Sequence, residues 1–124
     1  MSRRILVVED TEDNRQIIRD LLSSVGYELI EATDGAEGVA LAQSQHPDLI
    51  LMDIQLPGID GYEATRRIRK IPDLAGVPII AVTSYALSGD EARTREAGCD
   101  GYVAKPFSPR ELLAKLREFL PGAE

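Results

Sequence analysis

Four short apolar runs in this chain each stop at a reactive or polar residue, and stretches of helical period separate them. Ile5-Leu6-Val7-Val8 runs into Glu9-Asp10, and Leu49-Ile50-Leu51-Met52 runs into Asp53. Ile79-Ile80-Ala81-Val82 runs into Thr83, and Tyr102-Val103-Ala104 runs into Lys105-Pro106. Near-continuous apolar runs of this length suit strands covered on both faces, the mark of a parallel sheet. Parallel strands need crossover connections, and the segments between the runs have helical length and pattern. The predicted fold class is α/β, a (βα)₅ doubly wound sandwich. In such a sheet the carboxyl ends of the strands share one edge, where open α/β sheets keep their sites. Three carboxylates, a hydroxyl and an ammonium are then delivered to one place.

Strands are predicted at Arg4–Val8, Glu28–Ala32, Leu49–Asp53, Pro78–Thr83 and Gly101–Ala104. The more polar second run and the short last one suit the sheet edges. Helix starts are predicted at Asp13 with Gln16, Asp34 with Glu37, Asp60 with Glu63, Ser88 with Glu91, and Ser108-Pro109 with Glu111. Each pairs a capping side chain with an acid or amide three residues on. The first helix carries Ile17, Ile18, Leu21, Leu22 and Val25, expected to be mostly core. Gly26 and Gly98 are expected to end their helices in left-handed conformations. Pro121 to Glu124 reads as a frayed end. The expectation is one domain over 1–124, with a core at about 4–120 and no output domain.

Charge and cysteine content narrow the function classes. A net charge of -7 argues against a broad nucleic-acid footprint but leaves room for an acidic metal site. Cys99 is alone, so no internal disulfide forms and nothing points to an oxidising compartment. No run has the length of a signal-peptide core or a membrane span, and the cytoplasm is the expected location.

The carboxylates suit a hard cation and a phosphoryl group. Glu9, Asp10 and Asp53 together would coordinate Mg²⁺, with Mn²⁺ as an alternative, partly through water. Asp53 is the candidate nucleophile, forming an acyl phosphate. Lys105, held at the sheet edge by the proline after it, offers a point charge to phosphoryl oxygens, and Thr83 offers a hydroxyl. The plainer alternatives are that Glu9 and Asp10 cap a helix and that Asp53 caps a turn. No GxxxxGK[ST] run is present, which argues against a nucleotide triphosphatase.

Taken together and in order, ILVVED, DLILMDIQLPGIDG, PIIAVTSYA and GYVAKPFSPREL carry a resemblance over roughly Arg4 to Leu120. The chain resembles the receiver domain of bacterial two-component response regulators, the CheY-like superfamily, and is most similar to stand-alone DivK-like regulators. The resemblance implies a flavodoxin-like sheet of order 2-1-3-4-5 and a phosphorylation-dependent signalling switch. It implies that Asp53 is the phosphoacceptor, that Asp10 is a direct metal ligand and that Glu9 acts mainly through water. The backbone carbonyl of Gln55 would be a further ligand. Thr83 would move toward the phosphoryl group, Tyr102 would turn inward, and Lys105 would pair with Asp53 or its phosphate. The Lys105–Pro106 bond would be cis. Gln55 and Tyr85 would gate hydrolytic water. The helix near Ser88 to Ala97, the last strand and the last helix would form the surface that changes on activation. The donor would be a sensor histidine kinase or histidine phosphotransfer protein, and the output a downstream protein target. Neither nucleic acid nor membrane insertion is implied, and the chain would be a monomer or weak homodimer. Departures are small: Glu9 stands where many members have aspartate, and Ser84 replaces a commoner alanine.

The competing reading is an aspartyl-nucleophile phosphatase. Such enzymes carry a second aspartate two residues after the nucleophile, and here that position is Gln55. A phosphoacceptor that is not a dedicated enzyme is therefore preferred, and a binding-only receiver is disfavoured by Asp10, Asp53, Thr83 and Lys105. Asp13-Asn14-Arg15 lies beside the site and is expected to meet the phosphodonor partner. Arg66, Arg67, Arg69 and Lys70 read as a solvated basic face, Cys99 as a semi-buried filler, and His46 as a helix-end residue.

Overall fold

The computed structural model describes residues 3–84 and 90–120. Five parallel strands, β1 (Arg4–Val8), β2 (Glu28–Ala32), β3 (Leu49–Asp53), β4 (Ile79–Thr83) and β5 (Gly101–Ala104), form one sheet in the order β2-β1-β3-β4-β5. The helices are α1 (Glu12–Ser24), α2 (Gly35–Gln45), α3 (Gly61–Arg69), α4 (Asp90–Ala97) and α5 (Pro109–Phe119), with a 3₁₀ turn at Pro72–Leu74. This is the doubly wound flavodoxin-like architecture, with the polar second strand and the short fifth strand at its edges, as expected.

Every residue of β3 and β4 is buried, so both faces of the central strands are covered. Alternation along each strand splits the core into two layers. Leu6, Val8, Ile50, Met52 and Ala81 face one layer with Ala42, Ala64 and Ile68. Ile5, Val7, Leu49, Leu51, Ile80 and Val82 face the other with Ile18, Leu22, Leu112 and Leu116. On α2 the buried positions are Gly35, Gly38 and Ala42, while Val39 and Leu41 are half-buried. The reason is close approach: a Cβ on Gly38 would stand 2.8 Å from a methyl of Val8.

Several local expectations change. The first helix starts at Glu12 with Thr11 as its N-cap, not at Asp13. Glu9 accepts the Thr11 N–H, which closes the turn directly after β1 and starts the helix early. Asp13 then lies in the first turn, where its charge suits the helix dipole. Ile17 is 60% exposed and Val25 43%, so the apolar stripe of α1 is only partly core. The fourth strand begins at Ile79, because Pro78 accepts a bond from the Ile50 N–H but has no N–H to give. Cys99 is buried beside Thr65, not semi-buried. Asp34, Asp60 and Ser108 cap as expected, Ser108 in a reciprocal box with Glu111. Gly26 and Gly98 have positive φ, and His46 ends α2 in the left-handed region. The cap at Ser88 and the end at 121–124 lie outside the described residues.

Candidate functional site

The carboxyl ends of β1, β3 and β5 bring Glu9, Asp53 and Lys105 together. The Lys105 Nζ donates to Glu9 Oε1 at 3.0 Å and to Asp53 Oδ2 at 3.2 Å. The other Asp53 oxygen accepts the Gln55 N–H at 2.9 Å. Both carboxylates are almost wholly buried, at 2% and 3% exposed. Such burial is tolerable only because a cation and N–H donors face them.

Their ionisation divides. Burial pushes the Asp53 carboxyl up to about 6, and the nearby Glu9 charge adds to this, against the Gln55 N–H and Lys105. Burial also opposes the charge on Glu9, but the Lys105 ammonium and the Thr11 N–H outweigh it and hold Glu9 below the usual carboxylate range. Burial works against the Lys105 ammonium too, and its two carboxylate partners more than offset this, so it stays firmly protonated.

Asp10 is exposed beside this buried pair. Glu9, Asp10 and Asp53 each offer an oxygen, and these oxygens lie within 4.8 Å of one another. Three hard oxygens with one side open to solvent fit an ion that keeps several of its waters, as Mg²⁺ does.

Thr83 is fully buried at the end of β4, and its carbonyl accepts the Lys105 N–H at 2.7 Å. In the β4–β5 register Ala81 pairs with Tyr102 and Thr83 with Ala104. Thr83 and Tyr102 therefore lie on the same face of the sheet. Tyr102 is half-buried against the layer on that face. The Lys105–Pro106 peptide bond is cis. The Gln55 side chain is exposed and its Oε1 accepts the Ser84 N–H at 3.4 Å. Tyr85 lies outside the described residues.

Beside Lys105 runs an open groove of about 460 Å³, lined by Ile17, Ile18, Pro106 and Phe107 together with Asn14 and Glu9. Glu9 and Lys105 thus belong to the site and to the groove wall at once.

Two kinds of support were not read from the sequence: the bonds that Asn14 and Arg15, placed beside the site, make to Glu9, and the close approach at Gly61. Asn14 donates to Glu9 Oε2 at 3.4 Å, and Arg15 donates to the Glu9 carbonyl at 2.8 Å. Their place in the first turn after an acidic strand end was the available signal. Gly61 is the other support. A Cβ there would fall 2.6 Å from the Ile54 Cα and nearer still to the Asp53 carbonyl oxygen. A glycine as the first residue of a capped helix, soon after the candidate nucleophile, was its signal.

A model of the response regulator receiver domain matches residues 5–117. The chain is 42% identical over 123 residues to the polar-differentiation response regulator DivK of Brucella ovis, covering 99% of this chain and 100% of that one. The receiver domain of a sensor histidine kinase from Pseudomonas aeruginosa, solved with magnesium in its active-site cleft, superposes with a TM-score of 0.90 at 42% identity. That match covers 97% of this chain and 98% of the other. A chemotaxis response regulator of Vibrio cholerae gives a TM-score of 0.92 at 29% identity, over 96% and 99% of the two chains.

Proposed function

The chain belongs to the response regulator receiver domain family, and we propose that it is a phosphorylation-dependent switch with Asp53 as phosphoacceptor. The single observation that carries this is the bridge of Lys105 to Asp53 and Glu9 at the sheet edge, with exposed Asp10 beside it. In the step, an Asp53 carboxylate oxygen forms a bond to phosphorus and the donor's bond to phosphorus breaks. The leaving group departs with that electron pair. Lys105 is already aimed at the reacting carboxylate and neutralises charge gained there. Asp10, Asp53 and the Gln55 carbonyl would hold Mg²⁺ directly and Glu9 mainly through water, and the bound ion would supply further charge neutralisation.

Thr83 and Tyr102 would carry the signal outward. The new phosphoryl oxygens draw in the Thr83 hydroxyl, and Tyr102, on the same face, takes the inward state. The result is a population shift over α4, β5 and α5. Gln55 and Tyr85 would limit the water that hydrolyses the acyl phosphate. The protein would accept and lose the phosphoryl group without being a dedicated enzyme.

A sensor histidine kinase or histidine phosphotransfer protein is the proposed donor, seated on the groove where Ile17 stands exposed. A downstream protein is the proposed target, and the cytoplasm the proposed location. Among the described residues no helix is long and apolar enough to cross a membrane.

Intact mass after incubation with Mg²⁺ and acetyl phosphate tests the reading. A labile gain of about 80 Da is expected in the parent and not in Asp53→Asn, and EDTA present from the start should prevent it. A stable gain, or an equal one in the variant, overturns the assignment.

A further inference from the structure

We propose that Arg15 is a positioning residue for the acidic turn after β1, holding the Glu9–Asp10 peptide by the Glu9 carbonyl so that Asp10 meets the ion in a fixed place. The inference rests on the receiver reading and deepens it.

Asp10 is exposed, and its side chain makes no hydrogen bond or ion pair among the described residues. A ligand without a side-chain partner is placed by its backbone. Arg15 grips that backbone on both sides of Asp10. Its N–H donates to the Thr11 carbonyl at 3.0 Å, the ordinary bond of a helix start. Its guanidinium donates to the Glu9 carbonyl at 2.8 Å. A peptide unit is planar, so fixing the Glu9 oxygen also fixes the direction in which the chain enters Asp10. The sheet does not supply this bond. The Glu9 N–H still reaches the Ala32 carbonyl at 3.0 Å, but among the described residues no backbone N–H answers the Glu9 carbonyl. Glu9 is buried, so that oxygen would find little water if Arg15 let go.

The place suits arginine. Its side chain is 12% exposed, folded toward the turn and not outward to meet a partner. Its three nitrogens are spent on three partners: the Glu9 carbonyl, Glu12 at 2.6 Å and Glu31 at 3.4 Å. One planar fork thus ties the turn to α1 and β2, which a single ammonium could not do. Arg19 holds the same Glu31 with two bonds of 2.7 Å and reaches Glu12 at 3.4 Å. Two arginines and two glutamates leave this network without net charge. It stiffens the turn without driving a cation from the carboxylates beside it.

Arg19 supplies the control, because it shares both glutamates with Arg15 but bonds to no part of Glu9 among the described residues. Arg15→Met and Arg19→Met each remove one positive charge from the same network. A difference between them therefore reads the carbonyl contact. In the metal-free proteins, NMR should show the Glu9 carbonyl carbon shifted upfield and Thr11 N–H exchange raised roughly tenfold in Arg15→Met only. Calorimetric Mg²⁺ titration should give a Kd about fivefold or more weaker in Arg15→Met than in Arg19→Met, the scale of a preorganised group set loose. Urea melts confirm that each variant is folded. Equal Mg²⁺ affinities in the two variants overturn the proposal, and with the turn moved they leave Arg15 a structural support alone. An unmoved Glu9 carbonyl signal in Arg15→Met overturns it as well. Failure of Asp53 to take a phosphoryl group, read separately by mass, would remove the receiver reading, while these two readouts still decide the role of Arg15.

Discussion

Asp53 is a nucleophile kept in a place that disfavours its charge. Burial raises its carboxyl from 3.8 to about 6, although Lys105 and the Gln55 N–H stand beside it. A buried acid with a raised value binds its proton more tightly folded than unfolded. Its contribution to stability is therefore full below about pH 4 and is lost as pH rises through about 6. Asp53→Asn removes the titration while leaving Glu9 to hold Lys105. The variant should be more stable than the metal-free parent at pH 7, by on the order of 1–3 kcal/mol. The difference should shrink toward zero as pH falls from about 6 to about 4. Glu9, held low chiefly by Lys105, works in the opposite sense below 4.5, outside the window in which Asp53 titrates. Urea denaturation of both proteins across this range, in EDTA, reads the window. A constant difference would mean that Asp53 is not the buried, costly group it is taken to be. The identity of this residue was legible in the sequence, since an acid closing an apolar run has few cheap explanations. Its partners were less so. Glu9 was read as an ion-side acid, and its contact with Lys105 was not foreseen.

At the scale of elements, the start of α3 sets the loop that follows the nucleophile. Asp60 caps the helix by accepting the Glu63 N–H, and Gly61 donates its N–H to the Ile54 carbonyl at 2.9 Å. Alanine at Gly61 would gain about 1 kcal/mol in helix propensity. It would also set a Cβ 2.6 Å from the Ile54 Cα, against backbone that has no rotamer to yield. The clash wins, and Gly61→Ala should lose about 1–3 kcal/mol net. Because the displaced atoms belong to the Asp53–Gln55 segment, the initial rate of phosphorylation by acetyl phosphate should fall about tenfold or more. Urea melts and timed mass spectra separate the two effects. Wild-type rate with reduced stability would show that the loop absorbs the strain without moving Asp53. Helix starts at Asp34, Asp60 and Ser108 were readable because a cap needs only four adjacent residues. The start at Thr11 was not, because it depends on where the Glu9 side chain turns after β1 ends.

Over the whole molecule, Arg69 ties together what the sheet alone leaves loose. Sequence placed it on a solvated basic face with Arg66, Arg67 and Lys70. Arg66 and Arg67 do face outward, near Glu63, but Arg69 turns the other way. It donates to the carbonyls of Leu74, Ala75, Val77 and Gly98 and to Asp100 Oδ2 at 2.7 Å. That same Asp100 oxygen accepts the Ile79 N–H at the start of β4. One side chain thus joins α3, the 3₁₀ turn, the end of α4 and the β4–β5 edge. Arg69→Met should cost about 2–3 kcal/mol, because several partners are lost at once while some carbonyls regain water. For a chain of this size that is a fall of about 10 °C in Tm. Arg66→Met, its exposed counterpart, should stay within about 0.5 kcal/mol. Equal Tm values for the two variants would show the Arg69 cluster to be without weight.

The period of the apolar residues was enough to make this chain alternate strand and helix. The polar residue closing each run was enough to put a reactive edge on the sheet. Both are local properties, fixed by which side chains avoid water within a few residues of one another. Strand order did not follow from pattern alone and came from resemblance; the structure settles it through register, β1 pairing with both β2 and β3. Tertiary structure likewise decided which acid meets Lys105, since those partners lie 96 and 52 residues away along the chain. It also decided that Ile17 stands in the open and that Arg69 folds inward. A periodic pattern tells a residue's face on its own element. What that face meets is set by the packing of elements distant in sequence, where the same arginine or isoleucine finds either water or a partner.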